Sequence, residues 1–258
     1  MMGPHTLFVF GDSYADTGNC KKSFTIPRKL PYGITFPGTP TVRFSDGRVW
    51  TDYIASYLDV RSPIPYKFMK IHQNHIFDMN GNDTKNLLAL TTLLIDQLAT
   101  NLERIHSLAV RKIAVTAIEP MGCLPVATAS FSYKNCSKAG NFNSKFHNEI
   151  LAKAVKKCNE QRKRTNKSAF VMLNLYKAFL FAMKKHRKHT GSLKVKMNPL
   201  EPCCVGSCGS VEKSGAKLYN VCKKPEASFF WDSVHLSQKG WHAVYSALRS
   251  SLHKLIRI

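Results

Sequence analysis

Acidic side chains are scarce in this sequence: 16 Asp and Glu stand against 38 Lys and Arg, a formal net charge of +22. Such an excess attracts polyanions without selecting among them, and a solvated basic surface with no dedicated partner is the plain alternative. No nucleic-acid-binding motif accompanies the charge, which argues against specific recognition of RNA or DNA. No run of 18 or more apolar residues occurs, so no segment reads as a transmembrane helix. Internal repeats and low-complexity tracts are also missing, which excludes a repeat architecture. Met1 to Thr6 contains no signal-type apolar segment. A mature form, a different start and a chain retained in the cell all suit that feature.

What is present suits a globular enzyme. At 258 residues and 44% hydrophobic content the chain can bury a sizeable core, and the expectation is a single α/β domain over 1–258. Eight cysteines are many for a reduced cytosolic protein of this size. Cys203, Cys204, Cys208 and Cys222 could suggest zinc, but they lack the paired Cys-x2-Cys spacing of structural sites. Disulfides fit better. A Cys123–Cys136 bridge would span the loop after a strand, although spacing alone leaves the connectivity open. Three glycosylation sequons begin at Asn82, Asn135 and Asn166, and with oxidised cysteines they speak for a secreted protein.

Candidate chemistry sits at the two ends. Leu7-Phe8-Val9-Phe10 reads as a short buried strand, broken by Gly11-Asp12, with Ser13 at its carboxyl end. Ligands of open α/β sheets bind at that edge, and a serine there could serve as a nucleophile. An isolated Gly-Asp-Ser equally suits the cap of a following helix. Near the other end, Asp232-Ser-Val-His235 follows an apolar run and places a carboxylate and an imidazole on one turn. Those groups can supply a general base and the anion that orients it, while a surface histidine at a helix start explains the pair as well.

Between the ends, residues 20–50 are rich in Pro and Gly and read as a long loop. A helix is expected over Val49–Leu58, a short strand at Ile76–Met79 and a turn at 80–83. The clearest helix follows, with Leu87, Leu90, Leu94, Leu98, Leu102 and Ile105 as its apolar stripe. Strands are expected at 112–118 and 169–175. Helices are expected at 143–158 (Phe146, Ile150, Ala154 and Cys158 on one side), at 178–189 and from Gln238 onward. In the last, Trp241, Val244, Tyr245, Leu248 and Leu252 face inward. Residues 190–227 read as a cysteine-containing loop. Strands alternating with helices give a parallel sheet with helices on both faces.

The two ends together resemble the GDSL esterase/lipase family of SGNH hydrolases, its plant branch in particular. The resemblance extends over residues 8–19, 31–38, 43–48, 51–55, 110–115, 122–125, 202–206 and 208–210. It implies a flavodoxin-like, three-layer α/β fold. Four strands are counted where the family has five, so the sheet looks one strand short. It also implies acyl transfer, with Ser13 as nucleophile, His235 as general base and Asp232 as its orienting carboxylate. Oxyanion donors would be the Ser13 N–H and the Asn82 side chain, and the reaction needs no cofactor or metal. Asn80 stands where the family's asparagine motif has its first glycine. The family's third donor, a glycine in an Asn-Phe-Ala-x-Gly-Gly-type segment, has no counterpart between Lys67 and Asn80. Two functions follow. One is a serine esterase acting on small-molecule or polysaccharide esters (lipid, or cell-wall acyl and acetyl groups). The other is an impaired remnant that binds polyanion or carbohydrate through its basic surface.

Overall fold

The computed structural model describes residues 6–20, 26–63, 65, 87–161, 169–192 and 198–257. Among them the helices are α1 (Trp50–Tyr57), α2 (Leu87–Ser107), α3 (Pro125–Thr128), α4 (Lys138–Glu160), α5 (Leu175–Ser192) and α6 (Gln238–Arg257). The strands are β1 (Ile113–Thr116), β2 (Phe170–Leu173), β3 (Cys204–Val211) and β4 (Lys217–Val221). Strands β1 and β2 pair in parallel, with Ile113 opposite Phe170, whereas β3 and β4 form an antiparallel hairpin. The chain is α/β, and its contacts divide it into two compact units.

The unit made of 73–122, 138–180 and 248–258 contains the parallel pair. Ile113, Val115 and Phe170 from the strands pack with Ile95 and Leu102 of α2 and with Leu151, Val155 and Cys158 of α4. Each large aliphatic side chain buried there contributes roughly 1.5–3 kcal/mol. Side chains close the strand ends: the Asn159 amide bonds both backbone groups of Phe170, and the Asn148 amide does the same for Ile118. Along α2 the buried line runs through Thr91, Ile95 and Leu102, with Leu98, Ala99 and Ile105 beside it. It meets the expected stripe only from Leu98 onward, since Leu90 and Leu94 are 37% and 43% exposed.

The other unit comprises 1–72, 123–137 and 181–247. Here the expected strand at Leu7–Phe10 is not formed. No ladder is described for residues 6–10, and Phe8 and Phe10 are 60% and 77% exposed. A short apolar run becomes a strand only where a neighbour completes its hydrogen bonds. The expected strand at Ile76–Met79 lies outside the described residues. Helix α1 starts at a buried carboxylate: Asp52 accepts the Val49 N–H, the Ser62 hydroxyl and both arms of the Arg43 guanidinium. Helix α6 starts on two caps. Ser237 Oγ accepts the Gly240 N–H at 3.0 Å, and the buried Asp46 carboxylate accepts the Gln238 N–H at 2.7 Å.

The cysteine-rich region, expected as a loop, folds into the β3–β4 hairpin. Cystines Cys203–Cys222 and Cys204–Cys208 hold it, and a third links Cys123 to Cys136 as expected. Gly206 has φ +94, and a Cβ there would meet the Leu218 carbonyl of the facing strand at 2.6 Å. Around the cystines, Tyr32, Tyr219 and Trp231 complete a small core.

Two measurements probe this unit. Replacing Cys203 and Cys222 with serine is expected to lower stability by about 3 kcal/mol, since the bridge closes a loop of similar length to those that yield that amount. A urea midpoint equal to that of the parent would show the hairpin needs no bridge. For Asp52, burial pushes the carboxyl up, but the bonds and charge of Arg43, with Ser62 and the Val49 N–H, prevail and lower it. A depressed carboxyl stabilises the fold above its unfolded value of about 3.9 and loses that contribution as pH falls through the native value. Asp52→Asn should therefore cost about 3–5 kcal/mol at pH 7, by leaving Arg43 unpaired, and progressively less as pH falls below about 3.9 and through the depressed native value. A cost independent of pH would contradict the assignment.

Candidate active site

Ser13 stands on a tight turn. Asp12 shapes it, its carbonyl accepting the Ala15 and Asp16 N–H groups and its carboxylate the Tyr14 N–H. Asp16 then fastens the next residues by accepting the Gly18, Asn19 and Cys20 N–H groups. From α1, the Thr51 hydroxyl donates to the Ala15 carbonyl at 2.6 Å. Ser13 is thus held by backbone geometry without a strand beneath it, and its side chain stays partly exposed.

Asp232 and His235 share a loop whose backbone is tied on several sides. The Cys204 N–H donates to the Trp231 carbonyl, the Trp231 N–H to the His235 carbonyl, and the Val126 N–H to the Ser233 carbonyl. The hairpin and its cystines therefore support the loop directly. Tyr14 joins this loop to the serine turn: its hydroxyl donates to the Val234 carbonyl at 2.9 Å, and its ring meets His235 edge-on.

The structure brings Ser13, His235 and Asp232 together across 222 positions of sequence. His235 Nε2 is 2.8 Å from Ser13 Oγ, and Nδ1 is 2.9 Å from each Asp232 oxygen. Asp232 is only 7% exposed. Burial by itself would raise its pKa, but the His235 ring (by hydrogen bond and charge) and the Val234 and His235 N–H groups hold it below the usual carboxylate value. The carboxylate is thus an anion at neutral pH. Its bond to Nδ1 requires a proton there, which leaves Nε2 with the lone pair that can accept from the serine hydroxyl.

Two further aromatic residues close around this chain of contacts, neither assigned a role from sequence. The Tyr32 hydroxyl donates to Asp232 Oδ2 at 2.8 Å, and the Phe44 ring stacks on the His235 imidazole at 4.8 Å. Both belong to stretches that carried the family resemblance, but nothing local to Pro31-Tyr32-Gly33 says which distant carboxylate the tyrosine meets. Asn82, the expected side-chain oxyanion donor, lies outside the described residues. The four cysteines that could suggest zinc are consumed by the two hairpin cystines.

A family model described as GDSL-like Lipase/Acylhydrolase matches residues 68–248, a span that includes Asp232 and His235 and begins after Ser13. Two Arabidopsis thaliana proteins, each named a GDSL esterase/lipase, are similar to this chain. One is 39% identical over 96% of this chain and 87% of its own length, the other 37% over 96% and 88%. A further Arabidopsis relative, 25% identical over 91% of this chain and 68% of its own length, is named an inactive GDSL esterase/lipase-like protein. The first alignment runs over 316 residues, although 96% of 258 is about 248, so about 68 of its positions face gaps in this chain. With a family match across more than half of its residues, and relatives above 30% identity along nearly all of them, this chain belongs to the GDSL-like lipase/acylhydrolase family of ester hydrolases.

Proposed function

We propose that residues 1–258 act as one serine esterase, cleaving carboxylic esters of lipids or of cell-wall acyl and acetyl groups through a covalent acyl-enzyme. One observation carries this reading: a continuous hydrogen-bonded path runs from the Ser13 hydroxyl through both nitrogens of His235 to a buried, anionic Asp232. Ser13 Oγ attacks the ester carbonyl while His235 Nε2 takes its proton. Collapse of the tetrahedral adduct breaks the C–O bond to the alcohol, which leaves with that proton. Water then repeats the sequence on the acyl-serine, with His235 again as base. Asp232 stabilises the imidazolium formed in each half.

The Ser13 N–H and the Asn82 amide are the oxyanion donors in this reading. The family's third donor, a glycine N–H, has no recognisable counterpart between Lys67 and Asn80. Loss of one such donor costs about 10²- to 10³-fold in turnover, so a weak esterase is expected. A second reading, binding without turnover, draws support from those gaps and from the relative named inactive. The +22 charge would then serve retention on a polyanion such as an acidic polysaccharide. Three cystines and an exposed Asn135 in a sequon support secretion and glycosylation in either case.

Turnover of p-nitrophenyl acetate separates the two. Ser13→Ala and His235→Ala should abolish it, Asp232→Asn should leave a trace, each a loss of about 10⁴-fold or more, and Asn82→Ala should cost about 10²- to 10³-fold. Turnover that survives Ser13→Ala unchanged would exclude the esterase reading.

A further inference from the structure

We propose that Tyr32 is a positioning residue of the triad, its hydroxyl fixing the plane of the Asp232 carboxylate; this rests on the esterase reading above. A carboxylate offers about four acceptor positions. On Asp232 the Val234 and His235 N–H groups take Oδ1, the His235 ring lies within 2.9 Å of both oxygens, and Tyr32 donates to Oδ2. The two backbone donors anchor one oxygen only. On the other, Oδ2, the His235 ring itself is the remaining partner, so without Tyr32 no donor outside the imidazole opposes a turn about the Cβ–Cγ bond, and the Nδ1 contact loses its direction. Tyr32 supplies the second fixed point.

Its surroundings suit that task. Tyr32 is 2% exposed, and burial, then the Asp232 charge and hydrogen bond, push its phenol far above the usual tyrosine range, so it remains a donor at every working pH. The backbone on either side is held. Gly33 has φ +75, and any Cβ there would collide with the Thr39 carbonyl. The Gly33 N–H donates to the Ser45 carbonyl, while from β4 the Tyr219 hydroxyl donates to the Leu30 carbonyl. The Tyr32 ring also meets Phe44 edge-on at 6.3 Å, and Phe44 in turn stacks on His235. One side chain therefore braces the anion by a hydrogen bond and the imidazole through an intervening ring.

Tyr32→Phe removes the hydroxyl and keeps the ring. Its kcat on p-nitrophenyl acetate should fall roughly 10- to 100-fold with KM unchanged, the range for a hydrogen bond to a charged group. In an Asp232→Ala background the same substitution should change kcat by less than about twofold, because the group it orients is gone. A far-downfield proton resonance of His235 Nδ1–H, absent from Asp232→Ala, should shift in Tyr32→Phe even if the rate effect is small. Equal losses in both backgrounds, or unchanged kcat with an unmoved resonance, would overturn the proposal. If Ser13→Ala is inactive in those cases, the esterase reading survives and only the role of Tyr32 falls.

Discussion

A buried carboxylate must be satisfied by donors, and Asp232 is the point at which that requirement shapes the site. An ionised group this enclosed is costly unless hydrogen bonds and a partner charge replace the water it has lost. Here the replacements come from its own loop, where Val234 and His235 lie, and from Tyr32, so the anion draws two separate stretches of chain into one arrangement. The loop is in turn bonded to the cystine-stapled hairpin, and the serine turn is bonded to the loop through Tyr14. Displacing any of these alters the direction in which the histidine lone pair points.

Most of the architecture was legible in the sequence because most of it is helical and periodic. The start of α6 at Gln238 and the strands at 113–116 and 170–173 follow from pattern and turn residues. The hairpin was not legible. Cys204-Val-Gly-Ser-Cys-Gly-Ser-Val211 lacks the apolar alternation that marks a strand, since cystines rather than aliphatic packing hold it. Leu7–Phe10 erred in the opposite direction, with good strand composition and no described neighbour to pair with. On α2, the first turns expose leucines that the periodic stripe would bury.

The site divides along the same line. Ser13, Asp232 and His235 were marked by motif, and the structure joins them. Tyr32 and Phe44 were invisible because their partners lie about 200 positions away, 200 for Tyr32 and 191 for Phe44, and only the folded chain supplies the pairing. Their local sequence does explain why they can be placed so firmly. Gly33 permits the turn after Tyr32, and Phe44 leads directly into Ser45 and Asp46, which serve the buried network capping α6. Burial raises the Asp46 carboxyl despite its bonds to Thr35, the Gln238 N–H and Ser45, the reverse of Asp232, where donors outweigh burial. Two carboxylates of similar burial thus differ through their partners.

The central claim is that Ser13 is an activated nucleophile. Reaction with a fluorophosphonate probe, followed by peptide mapping, tests it without choosing a substrate. The account predicts one adduct, on Ser13, which disappears in His235→Ala while that variant retains its melting temperature. Labelling of another serine, or equal labelling of Ser13 with and without the histidine, would contradict it.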